Sequence, residues 1–108
     1  MDSAEWGAFR AIIALPPLAA KRNLILSYAD PARDAIEWAA LEETMRAWSH
    51  GEQVLMRLAR TLFTGIDYLS VDELRILDPQ TAIAVLGIIR DTYWPVPAVQ
   101  SAQTPWRD

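Results

Sequence analysis

Histidine, cysteine and clustered acids are the residues that could do acid–base or metal chemistry, and this chain has few of them. His50 is the only histidine among 108 residues, and cysteine is absent. A zinc site needs three or four His, Cys or carboxylate ligands close together. The pair His50 and Glu52 belongs to the run Ser49-His50-Gly51-Glu52, whose spacing is that of a capping box that starts a helix. We therefore assign this pair a structural role.

The other acids also lack a chemical pattern. Asp67, Asp72 and Glu73 lie near one another, but no calcium-binding loop surrounds them. Asp72 and Glu73 suit the first turn of a helix, where negative charge is favourable. The chain has no glycine-rich phosphate loop and no Gly-x-Ser-x-Gly elbow. We expect no catalytic residues, no metal, no cofactor and no enzymatic activity.

The net charge of −4 argues against nonspecific affinity for nucleic acid or for an anionic membrane. The excess of acid is too mild for a dedicated DNA mimic. The acidic start of the chain and the Pro16-Pro17 interruption indicate neither an export signal nor a membrane anchor. Together with the absence of cysteine, this predicts a cytoplasmic protein without membrane contact.

Helix start and stop signals organise the first half of the chain. Asp2 and Glu5 predict the start of a first helix, which Pro16-Pro17 ends. A second, shorter helix is expected over residues 18–28. Asp30-Pro31 has the N-cap and first-turn proline of another start, so we expect a long third helix that reaches Trp48.

The second half carries the clearest signals. Ser49 predicts a helix that ends at Gly65, and Ser70 predicts a short helix after it. Asp78-Pro79 starts the last helix. Apolar residues run without a break over residues 82–89, so this helix is expected to be the buried central rod of the domain. A buried strand is the alternative, because several of these residues are β-branched.

These elements predict an all-α protein, a compact orthogonal bundle of about five to six helices. Residues 1–94 are expected to form a single all-helical domain. Residues 95–108 are rich in proline and are expected to form an extended C-terminal tail, which would need its own bundle or a partner chain to lie on.

Tryptophan content also indicates a binding function. Five tryptophans exceed what one small core commonly needs, and tryptophan is enriched at interface hot spots. A strip of small residues on the last helix, Ala84, Gly87 and Asp91, would let another backbone approach. The predicted interface combines exposed aromatics and tail prolines with arginines at a polar rim: Trp6, Trp94, Pro95, Pro97, Trp106, Arg57 and Arg60.

A helix-turn-helix arrangement is the alternative. Residues 54–63, 69–74 and 79–94 have the order and spacing of such a unit within a winged-helix domain, whose third helix would enter the DNA major groove. The recognition helix is nearly all apolar, which opposes base reading. The residues that would contact nucleic acid are Arg75, Gln80, Thr81 and Arg90.

The sequence therefore predicts a non-catalytic protein–protein interaction module, a small helical subunit, adaptor or inhibitor within a larger assembly. Its partner would be another protein or a second copy of the chain. A helix-turn-helix DNA-binding regulator is the alternative function.

Overall fold

The computed structural model describes residues 3–95, and this part of the chain is mostly helical. Its secondary structure comprises six α-helices, two short 3₁₀ helices and a two-stranded hairpin. The elements are α1 (Ala4–Ile13), α2 (Pro16–Ala19), α3 (Arg22–Leu26), β1 (Ala29–Asp30), a 3₁₀ helix (Pro31–Arg33), β2 (Ala35–Ile36), α4 (Trp38–Met45), α5 (His50–Thr64), a second 3₁₀ helix (Val71–Ile76) and α6 (Pro79–Tyr93).

The helix signals of the second half are confirmed. The Ser49 hydroxyl accepts a hydrogen bond from the Glu52 backbone N–H, and the Glu52 carboxylate accepts one from the Ser49 backbone N–H. These two bonds form a capping box. Gly65 ends α5 in the left-handed conformation, at φ 77°. At Ser70 the Glu73 carboxylate accepts from the Ser70 backbone N–H at 2.8 Å, as in a capping box, although the helix that follows is 3₁₀.

The first half differs from the prediction in four places, and three of them come before the hairpin. The cap of α1 is Ser3, whose hydroxyl accepts from the Trp6 N–H at 3.3 Å. Pro16 is the first residue of α2 rather than only the end of α1, because a proline fits the first helical turn. The predicted helix over residues 18–28 is divided between α2 and α3.

The predicted long helix from Asp30 to Trp48 is wrong. Pro31 starts only one 3₁₀ turn, and Asp34 then adopts the left-handed conformation at φ 55°, which no α-helix contains. The chain turns back so that β1 and β2 pair antiparallel, with Ala29 opposite Ile36. Only α4 remains of the predicted helix.

The core lies between α1 and α5, which form the principal helix contact of the fold. Phe9, Ile12 and Ile13 of α1 are fully buried, as is Leu55 of α5. The amphipathic pattern of α5 explains its place: buried apolar side chains recur along one face from Val54 to Leu62, while its polar residues are half-buried or exposed.

α6 is a helix, so the alternative of a buried strand over residues 82–89 is wrong. It is also not the central rod. It packs on α1 from one side, and only Thr81 and Val85 among its residues are buried. The uninterrupted apolar run therefore forms a helix at the surface of the domain, and some of its apolar side chains face outward.

Residues 1, 2 and 96–108 lie outside the described part of the chain, so the domain and tail boundaries at 94 and 95 stay predictions. The orthogonal arrangement of the helices also stays a prediction. No helix within residues 3–95 has the length and apolar character needed to cross a bilayer.

Candidate interaction surface

The start of α6 is fixed by a cap between Asp78 and Thr81. The Asp78 carboxylate accepts from the Thr81 hydroxyl at 2.6 Å and from the Thr81 backbone N–H at 3.1 Å. These two bonds lower the pKa of Asp78, the side-chain bond contributing most. Thr81 is only 5% exposed, so its side of α6 faces the body of the domain.

The inner face of α6 is the side on which Thr81 lies. Thr81, Val85, Ile88 and Thr92 recur at intervals of four, three and four residues, so they share one side of the helix. Ile88 and Thr92 line a shallow cavity of ≈ 230 Å³ between α6 and α1, together with Asp91. The α1 side of this cavity consists of small residues: Ala4, Gly7, Ala8 and Ala11.

Two members of the small-residue strip predicted on α6 are therefore used within the domain. Asp91 lies beside α1, and Ala84 lines a second shallow cavity with Leu15 and Pro16 at the α1–α2 junction. Gly87 is different: a methyl group added there would meet only the Arg90 guanidinium, at 3.9 Å. Within residues 3–95, no atom of another element lies within 4 Å of the position that this methyl group would take.

The opposite side of α6 carries Ile83, Leu86, Arg90 and Tyr93, and Trp94 follows at the C-cap position. These five residues are the outer face of α6. Its apolar members are strongly exposed: Ile83 is 70% exposed, Leu86 60%, Tyr93 51% and Trp94 67%. The Tyr93 and Trp94 rings contact each other edge to face, with centroids 5.9 Å apart. Contiguous exposed apolar side chains on one helix face are typical of an interaction surface.

Arg90 is the only charged residue of the outer face. Its guanidinium Nε donates to the Asp91 carboxylate at 2.9 Å, and this bond raises the pKa of Arg90. The opposed charge of Asp91 lies at the edge of the face, so the surface as a whole is apolar and close to electrically neutral.

Trp6 was predicted to be an interface residue, and this prediction is wrong. Its side chain is only 6% exposed and contacts the Phe63 ring edge to face, with centroids 4.8 Å apart. Its indole N–H donates to the Asp34 carboxylate at 2.6 Å. Trp6 therefore fills the core and anchors the turn between β1 and β2.

The two predicted rim arginines have partners within the domain. Arg57 binds the Glu73 carboxylate at 2.6 Å, which connects α5 to the second 3₁₀ helix. The Arg60 guanidinium stacks over the Tyr68 ring at 4.0 Å and binds the Glu42 carboxylate at 3.1 Å. The Arg57 side chain is 32% exposed and that of Arg60 23%, and their place at a polar rim stays a prediction.

The residues predicted for nucleic-acid contact do not form one basic surface. Arg75 pairs with Asp72, Arg90 pairs with Asp91, and Thr81 is buried against Asp78. Gln80 is exposed and lines the cavity at the α1–α2 junction. Because each arginine has an adjacent carboxylate, neither presents an unneutralised charge to a phosphate. The prediction that Thr81 is available to a ligand is wrong.

Glu52 accepts a hydrogen bond at each of its two carboxylate oxygens. Its carboxylate accepts from Lys21 Nζ at 2.8 Å and from the Ser49 N–H at 2.9 Å. The bond from Lys21 is the largest cause of its lowered pKa, followed by the bond from Ser49. Lys21 also lies over the Trp48 ring. Glu52 therefore joins the start of α5 to the α2–α3 junction.

His50 takes no part in this cluster and is exposed at the first position of α5. Across the described residues, no group of three or more His, Asp or Glu side chains is placed to hold a metal ion. Of the predicted interface residues, Trp94 and Pro95 are exposed, whereas Pro97 and Trp106 lie outside the described residues. The sequence prediction missed Ile83, Leu86 and Tyr93 because it took α6 as fully buried.

Comparison with protein-family models, with curated proteins and with solved structures finds no match for this chain.

Proposed function

We propose that this chain is a non-catalytic protein–protein interaction module, a small helical subunit, adaptor or inhibitor that acts within a larger cytoplasmic assembly. The observation that supports this proposal is the outer face of α6. Three large apolar residues of α6 and the adjacent Trp94 are each more than half exposed. A second protein surface would remove them from water, which is the main favourable contribution to protein association.

The size of this face bears on the affinity. At the exposures given above, the four side chains present on the order of 400 Å² of apolar surface. Burial at about 25 cal/mol per Å² would yield roughly 10 kcal/mol before losses. Association costs an estimated 4–15 kcal/mol of translational and rotational freedom. The outer face alone therefore supports a weak or moderate interaction, which further contacts would strengthen.

The composition of the face supports binding to protein rather than to a small molecule. Trp, Tyr and Arg are the residue types that dominate interface hot spots, and Tyr93, Trp94 and Arg90 lie together at the C-terminal end of the face. The face is a convex helix surface, whereas small-molecule sites are concave. The N-terminal end is aliphatic, with Ile83 and Leu86.

Affinity capture tests the proposal. The protein, tagged at its amino terminus, is recovered from its own cells or infected host, with and without nuclease and at low and high salt. A stoichiometric protein partner that remains after nuclease and at high salt is the expected result, because an apolar contact is not screened by salt. Recovery of nucleic acid, with binding that falls steeply as salt rises, would favour the helix-turn-helix regulator instead.

A further inference from the structure

We infer that residues 65–94, termed the C-terminal layer, open from the domain as a unit while residues 3–64, termed the N-terminal body, stay folded. The layer consists of the segment after α5, the second 3₁₀ helix and α6. This inference concerns a conformational change built into the fold, and it does not depend on the proposed function.

The first support is the uneven distribution of buried residues between the two parts. Within residues 3–95, every buried residue belongs to the N-terminal body except Thr81 and Val85. The body therefore has a core of its own, centred on the contact between α1 and α5. Because apolar burial is the main favourable contribution to folding, a layer with so few buried residues is expected to open more easily than the body unfolds.

The second support is the connection between α5 and α6, which has no buried anchor. No residue over positions 63–80 is buried. Two polar contacts hold the connection to the body: Glu73 binds Arg57 at 2.6 Å, and the Tyr68 ring lies under the Arg60 guanidinium at 4.0 Å. An ion pair that is about one-third exposed contributes little to stability. The apolar contacts of the connection with the core come from side chains that are only partly buried: Leu69, Leu74 and Leu77.

The third support is the loose packing between α6 and the N-terminal body. The cavity of ≈ 230 Å³ between α6 and α1 is lined by Ile88 and Thr92 of the inner face. A second cavity, of ≈ 270 Å³, lies near the start of α6, where Ala84 lines it together with Leu15 and Pro16. Side chains do not touch across a cavity, so the two sides gain less dispersion attraction than in close packing.

Opening would change the surface that the protein presents. α6 has fifteen residues, and a helix of about this length is only marginally stable in water on its own. Once the layer leaves the body, the backbone amides of α6 become accessible to solvent. Val85 and Ile88 of the inner face become accessible together with the outer face, so opening increases the apolar surface that a partner can contact.

Native-state hydrogen exchange of the full chain, followed residue by residue by NMR in urea concentrations below the unfolding transition, tests this inference. Amides in the middle of α6 should be at least about tenfold less protected than amides in α1 and α5. The reason is that α6 exchanges whenever the layer opens, whereas α1 and α5 exchange only when the N-terminal body unfolds.

Two conservative substitutions separate opening of the layer from global unfolding. Ile25→Val removes one methyl group from a fully buried side chain of α3, which is not the helix on which α6 packs. It should speed exchange in α1 and α5 by roughly two- to tenfold and leave exchange in α6 unchanged, because the body stays folded in the open state. Val85→Ala weakens only the closed state, so it should speed exchange in α6, α1 and α5 by the same factor.

Equal protection of α6, α1 and α5 would overturn the inference. An Ile25→Val variant that exchanged faster in α6 by the same factor as in α1 and α5 would also overturn it, because the whole domain would then unfold in one step. If Val85→Ala left exchange in α6 unchanged, the α6 amides would exchange through fraying of the helix, which is incompatible with opening of the layer as a unit.

Discussion

Replacement of Glu52 by alanine should destabilise the protein more than replacement of any exposed acid, because two separate contacts end on this carboxylate. One oxygen accepts from the Ser49 N–H and completes the capping box of α5, and the other binds Lys21. The side chain is only 15% exposed, so water replaces these partners incompletely once they are lost.

The expected loss follows from the two contacts. Half of a capping box contributes about 0.5–1 kcal/mol to the free energy of unfolding. A partly buried ion pair at 2.8 Å contributes about 0.5–1.5 kcal/mol. We therefore expect Glu52→Ala to cost about 1–2.5 kcal/mol, which lowers the melting temperature of a domain of this size by roughly 5–15 °C.

The pH dependence separates the charge from the cap. The pKa of Glu52 is lowered from its ordinary value of 4.5, so its ionised form is bound more favourably in the folded state. This contribution is fully present above the unfolded pKa of about 4.5 and is lost as the pH falls through the lower folded pKa. Glu52→Gln keeps an oxygen for the Ser49 N–H, so its stability should converge on that of the unchanged protein in acid.

Urea unfolding followed by circular dichroism, at neutral pH and in acid, measures these differences. The control is Glu43→Ala, which removes an exposed carboxylate paired with Arg46 and should change stability by less than about 0.5 kcal/mol. If Glu52→Ala and Glu43→Ala lost the same stability, the contacts of Glu52 would not contribute as described. If the difference in stability between Glu52→Gln and the unchanged protein did not shrink in acid, the role assigned to the charge of Glu52 would be refuted.

Two tryptophans and one arginine give further predictions. Trp6→Ala should cost about 3–5 kcal/mol because it empties a core site, whereas Trp94→Ala should change stability by less than about 1 kcal/mol; equal losses in urea unfolding would contradict the burial of Trp6. Arg60→Ala should cost about 1–2 kcal/mol through its contacts with Tyr68 and Glu42 and leave partner capture unchanged. If Arg60→Ala remained folded but no longer captured the partner, Arg60 would be part of the interface.

The helix caps of the second half could be predicted because each one is a local signal. Ser49 with Glu52, and Asp78 with Pro79, lie within four residues of each other and place a hydrogen-bond acceptor where a helix start needs it. Gly65 was predictable for a similar reason, because a left-handed cap favours glycine. Such signals depend little on the rest of the fold.

The turn between β1 and β2 could not be predicted in this way. Asp30-Pro31 looks locally like a helix start, and it does begin one 3₁₀ turn. What opposes the long helix is a contact across 28 positions of the sequence, between the Trp6 indole and Asp34. Only the packing of α1 brings these two residues together, and no local pattern records it.

The candidate site was missed for a related reason. An apolar helix is expected to be surrounded by protein, but the sequence does not say how many neighbours are available. α6 has the body of the domain on one side and solvent on the other, so Ile83 and Leu86 are exposed. The contacts of Arg57 and Arg60 could not be predicted either, because their carboxylate and ring partners, Glu73, Glu42 and Tyr68, come from other elements.

The most direct test of the central claim is a comparison of partner capture by Ile83→Glu and by Ile66→Glu, two isoleucines of similar exposure on different elements. Both variants are first shown to melt as the unchanged protein does, and the captured protein, a second copy included, is then quantified. If the outer face of α6 binds the partner, Ile83→Glu loses most of the captured protein and Ile66→Glu keeps it. Equal capture by both variants would contradict the claim.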